Sequence, residues 1–152
     1  MALILAMAIA AGLVRNRLLE KPLPLFGGWQ RAVVASDEKT KPFPELDVDT
    51  VRALLEKGDA LLLDARHVEA YRAGHIPGAI SLPVGHFDEI FASLKMQLAG
   101  DKMVISSCSD PGCPDSIELA KRLREKGLTQ VWLFRGGVAA WQERGFDLEE
   151  QN

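Results

Sequence analysis

Cys108 and Cys113 are the only cysteines among 152 residues, and five positions separate them. Between them lies Ser109-Asp110-Pro111-Gly112, and Pro114-Asp115-Ser116 follows. An apolar run, Met103 to Ser107, leads into Cys108, and an amphipathic helical pattern begins near Ser116. A thiol between the end of a strand and the start of a helix faces backbone N–H groups and the positive end of a helix dipole. Both favour thiolate, the nucleophilic form of sulfur. The spacing therefore points to a sulfur nucleophile at Cys108.

Other chemistries fit the sequence less well. Structural zinc needs a second ligand pair at suitable spacing, and His67, His75 and His86 are scattered. No metal and no cofactor are expected. A formal net charge of -3 offers no electrostatic footprint for nucleic acid. Hydrophobic content of 47% with 26% charged residues suits one globular domain with a real core.

The elements that must position the thiol follow from periodicity. Asp47 is a plausible N-cap for a helix through Lys57 that Gly58 closes. Leu61-Leu62-Leu63 ends at Asp64 and reads as a strand buried on both faces. Glu69 to Arg72 suggests a helical turn, and Ile80-Ser81-Leu82 a short strand stopped by Pro83. Phe87, Ile90, Phe91, Leu94 and Leu98 mark one face of a helix. Met103 to Ser107 is the next strand, and Ile117, Ala120 and Leu123 line a helix that stops at Gly127. Val131 to Phe134 is a further strand, and after Gly136-Gly137 a last helix runs from Val138 to Arg144. Short apolar strands alternating with helices predict an α/β domain with a central parallel sheet.

The first 19 residues differ in kind. Met1 to Val14 is apolar without interruption, and Arg15, Arg17 and Lys21 follow. The run is short for a spanning helix, and no basic segment precedes it as in a secretory signal. It is expected to be an apolar helix anchoring the chain to a membrane, with the positive charges keeping the following domain on the cytoplasmic side. The alternative is an apolar helix packed within a soluble cytoplasmic protein. Residues 20–42, punctuated by Pro22, Pro24, Gly27, Gly28 and Pro42, read as a linker, and the folded domain is expected over residues 43–152.

Three groups of residues resemble the rhodanese family. They are Asp64-Ala65-Arg66 with Glu69, Tyr71 and the box Gly74-His75-Ile76-Pro77-Gly78-Ala79; Cys108 after its strand; and Gly136-Gly137 with Trp141. Order and spacing agree from about Phe43 to Phe146. The resemblance implies a three-layer α/β domain with a five-stranded parallel sheet. It also implies sulfur transfer, in which Cys108 takes sulfane sulfur from a donor such as thiosulfate or a persulfide and passes it to a thiol acceptor. The implied loop is Cys108 with Ser109, Asp110, Pro111, Gly112, Pro114, Asp115 and Ser116.

The loop departs from the family pattern in two ways. Many active rhodaneses close the loop with a basic residue, yet no Lys or Arg occurs between Lys102 and Lys121. Asp110 and Asp115 stand there instead, and like charges near a thiolate oppose its ionisation. Arg66 and Arg135, at neighbouring strand ends, are candidates for the missing positive charge; a structural alternative for Arg66 is a pair with a carboxylate such as Glu69. Asp64 is expected to hold loop backbone or an arginine. The second departure is Cys113, which makes the loop resemble a Cys-x4-Cys variant group within the family. Either Cys113 resolves Cys108 by forming a disulfide, or it is a packing residue. Three functions follow: a sulfurtransferase, a thiol–disulfide redox protein using the same pair, and a binding or sulfur-carrier module with little turnover.

Overall fold

A computed structural model of the chain describes residues 42–100 and 102–151. The expected apolar helix at residues 1–19 and nearly all of the linker lie outside the described residues. Helix α1 (Val48–Lys57) begins at Asp47, whose carboxylate accepts from Thr50 N at 2.9 Å, and ends at Gly58, where φ is +74°. A left-handed residue that terminates a helix is inexpensive only for glycine. Strand β1 (Ala60–Asp64), helix α2 (Val68–Ala73) and strand β2 (Ile80–Ser81) follow. A single 3-10 turn (Val84–His86) leads into α3 (Phe87–Leu98). Then come β3 (Met103–Ser107), α4 (Asp115–Glu125), β4 (Val131–Phe134) and α5 (Gly137–Glu143).

The four strands form one sheet in the order β2-β1-β3-β4, every pair parallel. The parallel α/β architecture is the one expected, with four strands in place of five. The fifth survives as a single parallel bridge of Glu45 to Leu133, made by Leu46 N to Leu133 O at 2.8 Å and Leu133 N to Pro44 O at 2.9 Å. Proline has no N–H to extend such a ladder, so a segment carrying Pro42 and Pro44 makes a poor strand.

Alternation along the strands divides the core in two. Leu63, Val104, Val131 and Leu133 pack against Phe87, Phe91 and Leu98 of α3 and Leu119, Ala120 and Leu123 of α4. Ala60, Leu62, Ile105 and Phe134 pack on the opposite side against Val51, Tyr71, Val138 and Trp141 of α1, α2 and α5. This two-sided burial is why Leu61-Leu62-Leu63 shows no polar position. His75 serves the turn after α2. It is buried, its Nδ1 donates to Tyr71 O at 3.0 Å, and its backbone pairs with Glu149 in an antiparallel bridge.

Candidate active site at the carboxyl end of the sheet

Strand β3 delivers Cys108 to the carboxyl end of the sheet, between the ends of β1 and β4. There Asp64 is in register with Ser107, and Ser107 with Phe134. Crevices at the carboxyl ends of open parallel sheets are where ligands of such folds bind. The Cys108 backbone is held from above by α5: Val138 N donates to Cys108 O at 3.1 Å, and Ala139 N to Ser109 O at 2.8 Å. Gly137 makes this approach possible. Its φ is +59°, and a Cβ there would overlap Cys108 O and stand 2.8 Å from Ser109 C. Gly137→Ala is therefore expected to lower stability by at least about 1–2 kcal/mol from the left-handed backbone alone. The overlap should also displace the cysteine loop. Denaturant unfolding measures the first effect, and the amide shifts of Val138 and Ala139 report the second.

Cys108 and Cys113 are joined by a disulfide, with Cα atoms 6.2 Å apart. That separation lies within the range a disulfide requires. Cys108 is 3% exposed, whereas Cys113 is half-buried, so the two sulfurs differ in their access to solvent. One carboxylate oxygen of Asp115 lies within 4.8 Å of both sulfurs. Cys108, Cys113 and Asp115 form the one set of potential metal donors grouped in this way among the described residues. With the sulfurs bonded to each other, Asp115 is the only charged donor of the three.

The two loop aspartates have separate roles. The Asp110 carboxylate accepts from Ser109 Oγ–H at 2.8 Å and from Gly112 N at 2.8 Å, and Cys113 N donates to Asp110 O at 3.1 Å. Asp110 thus folds the turn around its own side chain. The Ser109 hydroxyl, then the Gly112 and Cys113 N–H groups, hold its carboxyl below the usual carboxylate range. A depressed carboxyl stabilises the loop above its ordinary pKa, and that contribution is lost as pH falls through the lowered value. The turn is accordingly expected to stay closed at neutral pH and to loosen only below the usual carboxylate range. Titrating the Gly112 and Cys113 amide resonances follows the transition, and Asp110→Asn should remove its pH dependence.

Arg66 is committed to the scaffold. Its Nε and a terminal nitrogen grip both oxygens of Asp64 at 2.7 to 3.0 Å, and the same terminal nitrogen reaches Gly74 O at 2.8 Å. The partner is Asp64, two residues away, in place of the Glu69 considered from sequence. Asp64 thus holds an arginine, as expected, and also accepts the Arg66 backbone N–H at 3.0 Å. Arg135 differs from Arg66. It follows β4 and donates to the Pro111 carbonyl, so it lies directly on the cysteine loop. Of the two candidate arginines, the structure brings Arg135 to the loop and ties Arg66 to the neighbouring turn.

The remaining loop residues shape the surroundings. Pro111, Gly112 and Pro114 are exposed, and Ser116 is buried with its carbonyl accepting from Ser106 Oγ at 2.8 Å. Ser107 Oγ is buried and finds no hydrogen-bond partner among the described residues. Pro114 gives α4 no side-chain cap. Ile117 N and Glu118 N turn back to Pro114 O at 3.1 Å, and the N–H groups of Asp115 and Ser116 have no acceptor among the described residues. An uncapped helix start beside the sulfurs is a place where developing negative charge is favoured. By contrast, the Gly112 and Cys113 amides are spent on Asp110. A cavity of ≈ 330 Å³ lined by Phe91, Leu98, Val104 and Leu128 opens by the start of β3, at the end of the sheet opposite Cys108. It has no part in this chemistry.

The chain belongs to the rhodanese-like domain family, whose profile matches residues 47–144. Thiosulfate sulfurtransferase GlpE of Pseudoalteromonas translucida is 30% identical over 100 residues, covering 66% of this chain and 90% of the relative. The tRNA sulfurtransferase of Desulfurococcus amylolyticus is 32% identical over 108 residues, 71% of this chain and 19% of the relative. HTH-type transcriptional regulator Rv0324 of Mycobacterium tuberculosis is 30% identical over 122 residues, 78% of this chain and 50% of the regulator. The chain thus spans half or less of the length of these last two relatives. Among solved structures, the BH2092 protein of Bacillus halodurans superposes with a TM-score of 0.64 at 28% identity, covering 70% of this chain and 77% of that one. Thiosulfate sulfurtransferase of Pseudomonas aeruginosa superposes with a TM-score of 0.60 at 29% identity, covering 72% of this chain and 21% of that one. Sulfurtransferases are therefore among the relatives both by sequence and by fold.

Proposed function

We propose that this domain is a sulfurtransferase that carries sulfane sulfur as a persulfide on Cys108 and uses Cys113 as a resolving thiol. The carrying observation is the Cys108–Cys113 bond, placed at the carboxyl end of the parallel sheet in a rhodanese-like domain. In the oxidised form, a dithiol reductant meets the half-buried Cys113 sulfur first. Its thiolate forms a mixed disulfide with Cys113, Cys108 departs as thiolate, and the reductant's second thiol then releases Cys113.

Reduced Cys108 attacks the outer sulfur of a donor. With thiosulfate, the sulfur–sulfur bond breaks and sulfite leaves; with a small persulfide, a thiol leaves. The uncapped start of α4 favours the resulting persulfide anion. Arg135 supplies the positive charge that the loop lacks and assists an anionic donor, while the Asp64–Arg66 pair keeps the floor of the site rigid. The persulfide then passes its outer sulfur to a thiol acceptor. Alternatively Cys113 displaces it: Cys108–S–S⁻ and Cys113–SH give the disulfide and HS⁻. The sulfane sulfur gains two electrons and the two cysteines lose them, so the step needs no further oxidant.

The disulfide also favours a second reading, a thiol–disulfide redox protein that meets no sulfur donor. Mixing the reduced chain with thiosulfate, or separately with a small persulfide, in the absence of free thiol distinguishes the two. Sulfur transfer is expected to release one sulfide per chain as the disulfide forms. A chain that closes its disulfide only with oxidants and releases no sulfide from either donor would contradict it in favour of redox exchange. A chain unchanged by donors and oxidants alike would leave the binding module.

The apolar run at residues 1–19 is proposed to tether the domain to the cytoplasmic face of a membrane. Among the described residues no helix is long and apolar enough to cross one. Detergent phase partitioning should retain the full chain in the detergent phase and residues 20–152 in the aqueous phase. Aqueous recovery of both would remove the tether.

A further inference from the structure

The two aspartates of the cysteine loop are equivalent in sequence and unlike in structure. Asp110 is satisfied by Ser109 Oγ–H and Gly112 N–H. The half-buried Asp115 carboxylate has no hydrogen-bond or ion-pair partner among the described residues, yet one of its oxygens lies within 4.8 Å of both Cys108 Sγ and Cys113 Sγ. Nothing in the scaffold accounts for it. It does not cap α4, whose N-cap is Pro114, and among the described residues it forms no pair with an arginine or lysine.

We propose that Asp115 is the proton carrier of the resolving step, taking the proton from the Cys113 thiol and giving it to the departing sulfur. The inference rests on the sulfur-transfer reading and adds a catalytic residue to it. A carboxylate beside a thiol opposes its ionisation, so the Cys113 thiol needs a base at the moment it attacks. Asp115 both creates that need and meets it, across a span short enough for one water to bridge. As Cys113 Sγ bonds to Cys108 Sγ, the bond from Cys108 Sγ to the outer sulfur breaks. The thiol proton moves to the Asp115 carboxylate and from there to the outer sulfur, which leaves as HS⁻. The carboxylate ends as it began. In the reverse direction the carboxylate takes the proton of the attacking HS⁻ and gives it to the Cys113 thiolate released when the disulfide opens.

The other charged groups named around the cysteine loop are held by other partners. Arg135 at the end of β4 donates to Pro111 O, Arg66 after β1 is paired with Asp64, and Asp110 holds its own turn. Asp115 is the one loop carboxylate left to exchange a proton with the cysteines.

The test follows the resolving step in the full-length chain by rapid quench and intact mass across pH 6 to 10, in wild type, Asp115→Asn and Asp115→Glu. Two loaded forms are used: the Cys108 persulfide, and the Cys108 mixed disulfide with glutathione formed from oxidised glutathione. Asp115→Asn removes a negative charge from beside Cys108 and should load no more slowly than wild type. Resolution should then slow by about 10²-fold near neutrality. That deficit should shrink above about pH 8.5, where a thiol ionises unaided, and Asp115→Glu should recover part of the rate. A deficit independent of pH, or none, would overturn the role of Asp115. A chain that never acquires a persulfide would instead count against the sulfur-transfer reading, and the glutathione form would still decide the role of Asp115. Thermal unfolding of each variant confirms that the fold is retained.

Discussion

Cys108→Ser is expected to abolish sulfur acquisition from thiosulfate and from small persulfides, a loss on the order of 10⁴-fold or more in turnover. A serine hydroxyl does not ionise near neutrality, and the helix start that favours a thiolate gains nothing from a neutral oxygen. Cys113→Ser provides the necessary contrast. Both variants lose the same cross-link, which spans five positions and contributes about 2 kcal/mol by loop-closure entropy. Their stabilities under non-reducing conditions should therefore fall together. Their chemistry should diverge: Cys113→Ser still takes up sulfur and retains it, whereas Cys108→Ser takes up none. Equal loss of uptake in both would mean that the disulfide, and not the nucleophile, is what the site requires. A donor-consumption assay in parallel with denaturant unfolding separates the two.

Arg66→Ala should be the most damaging change to the scaffold around the site. The Arg66 and Asp64 side chains are 12% and 4% exposed, and the guanidinium also satisfies Gly74 O. Removing the arginine leaves a buried carboxylate without its partner, a loss of about 3–5 kcal/mol. Arg66→Lys should recover little of it, because an ammonium cannot grip both carboxylate oxygens and the Gly74 carbonyl in one plane. Denaturant unfolding reads the magnitude. Because Asp64 is in register with Ser107, the residue before Cys108, sulfur uptake should decline along with stability. Arg135→Ala makes a useful comparison. Arg135 touches the loop only through Pro111 O, so its loss should weaken the use of anionic thiosulfate more than it weakens the fold.

The elements around the site were legible wherever one physical cause dominates. Three leucines in succession before Asp64 mark a strand buried on both faces, and Asp47 with Gly58 brackets α1 because an N-cap and a left-handed C-cap leave local signatures. The helix over Phe87–Leu98 and the strands over Met103–Ser107 and Val131–Phe134 followed from spacing alone. Periodicity marked four strands and the fifth came only from the family resemblance; the segment with Pro42 and Pro44 makes a single bridge there because proline has no N–H to propagate a ladder. Cys108 stood out by its place between a strand and a helix. What its neighbours do was not legible, because it depends on the path of the turn. Ser109 and Gly112 claim Asp110 and leave Asp115 beside the sulfurs. Arg66 folds back to Asp64 because the chain turns at the end of β1, a geometry that residue spacing does not encode. The grip of Val138 and Ala139 on the Cys108 and Ser109 carbonyls is backbone to backbone and has only Gly137 as a sequence signal.

Whether Cys108 carries sulfane sulfur is read by intact mass on Cys113→Ser, where a persulfide has no resolving thiol to remove it. The reduced variant is treated with a small persulfide donor, desalted and weighed, then treated with cyanide and weighed again. The expected result is a gain of one sulfur atom, mapped to the peptide containing Cys108, that cyanide removes as thiocyanate. A mass unchanged by the donor, or a sulfur that cyanide does not remove, would contradict it.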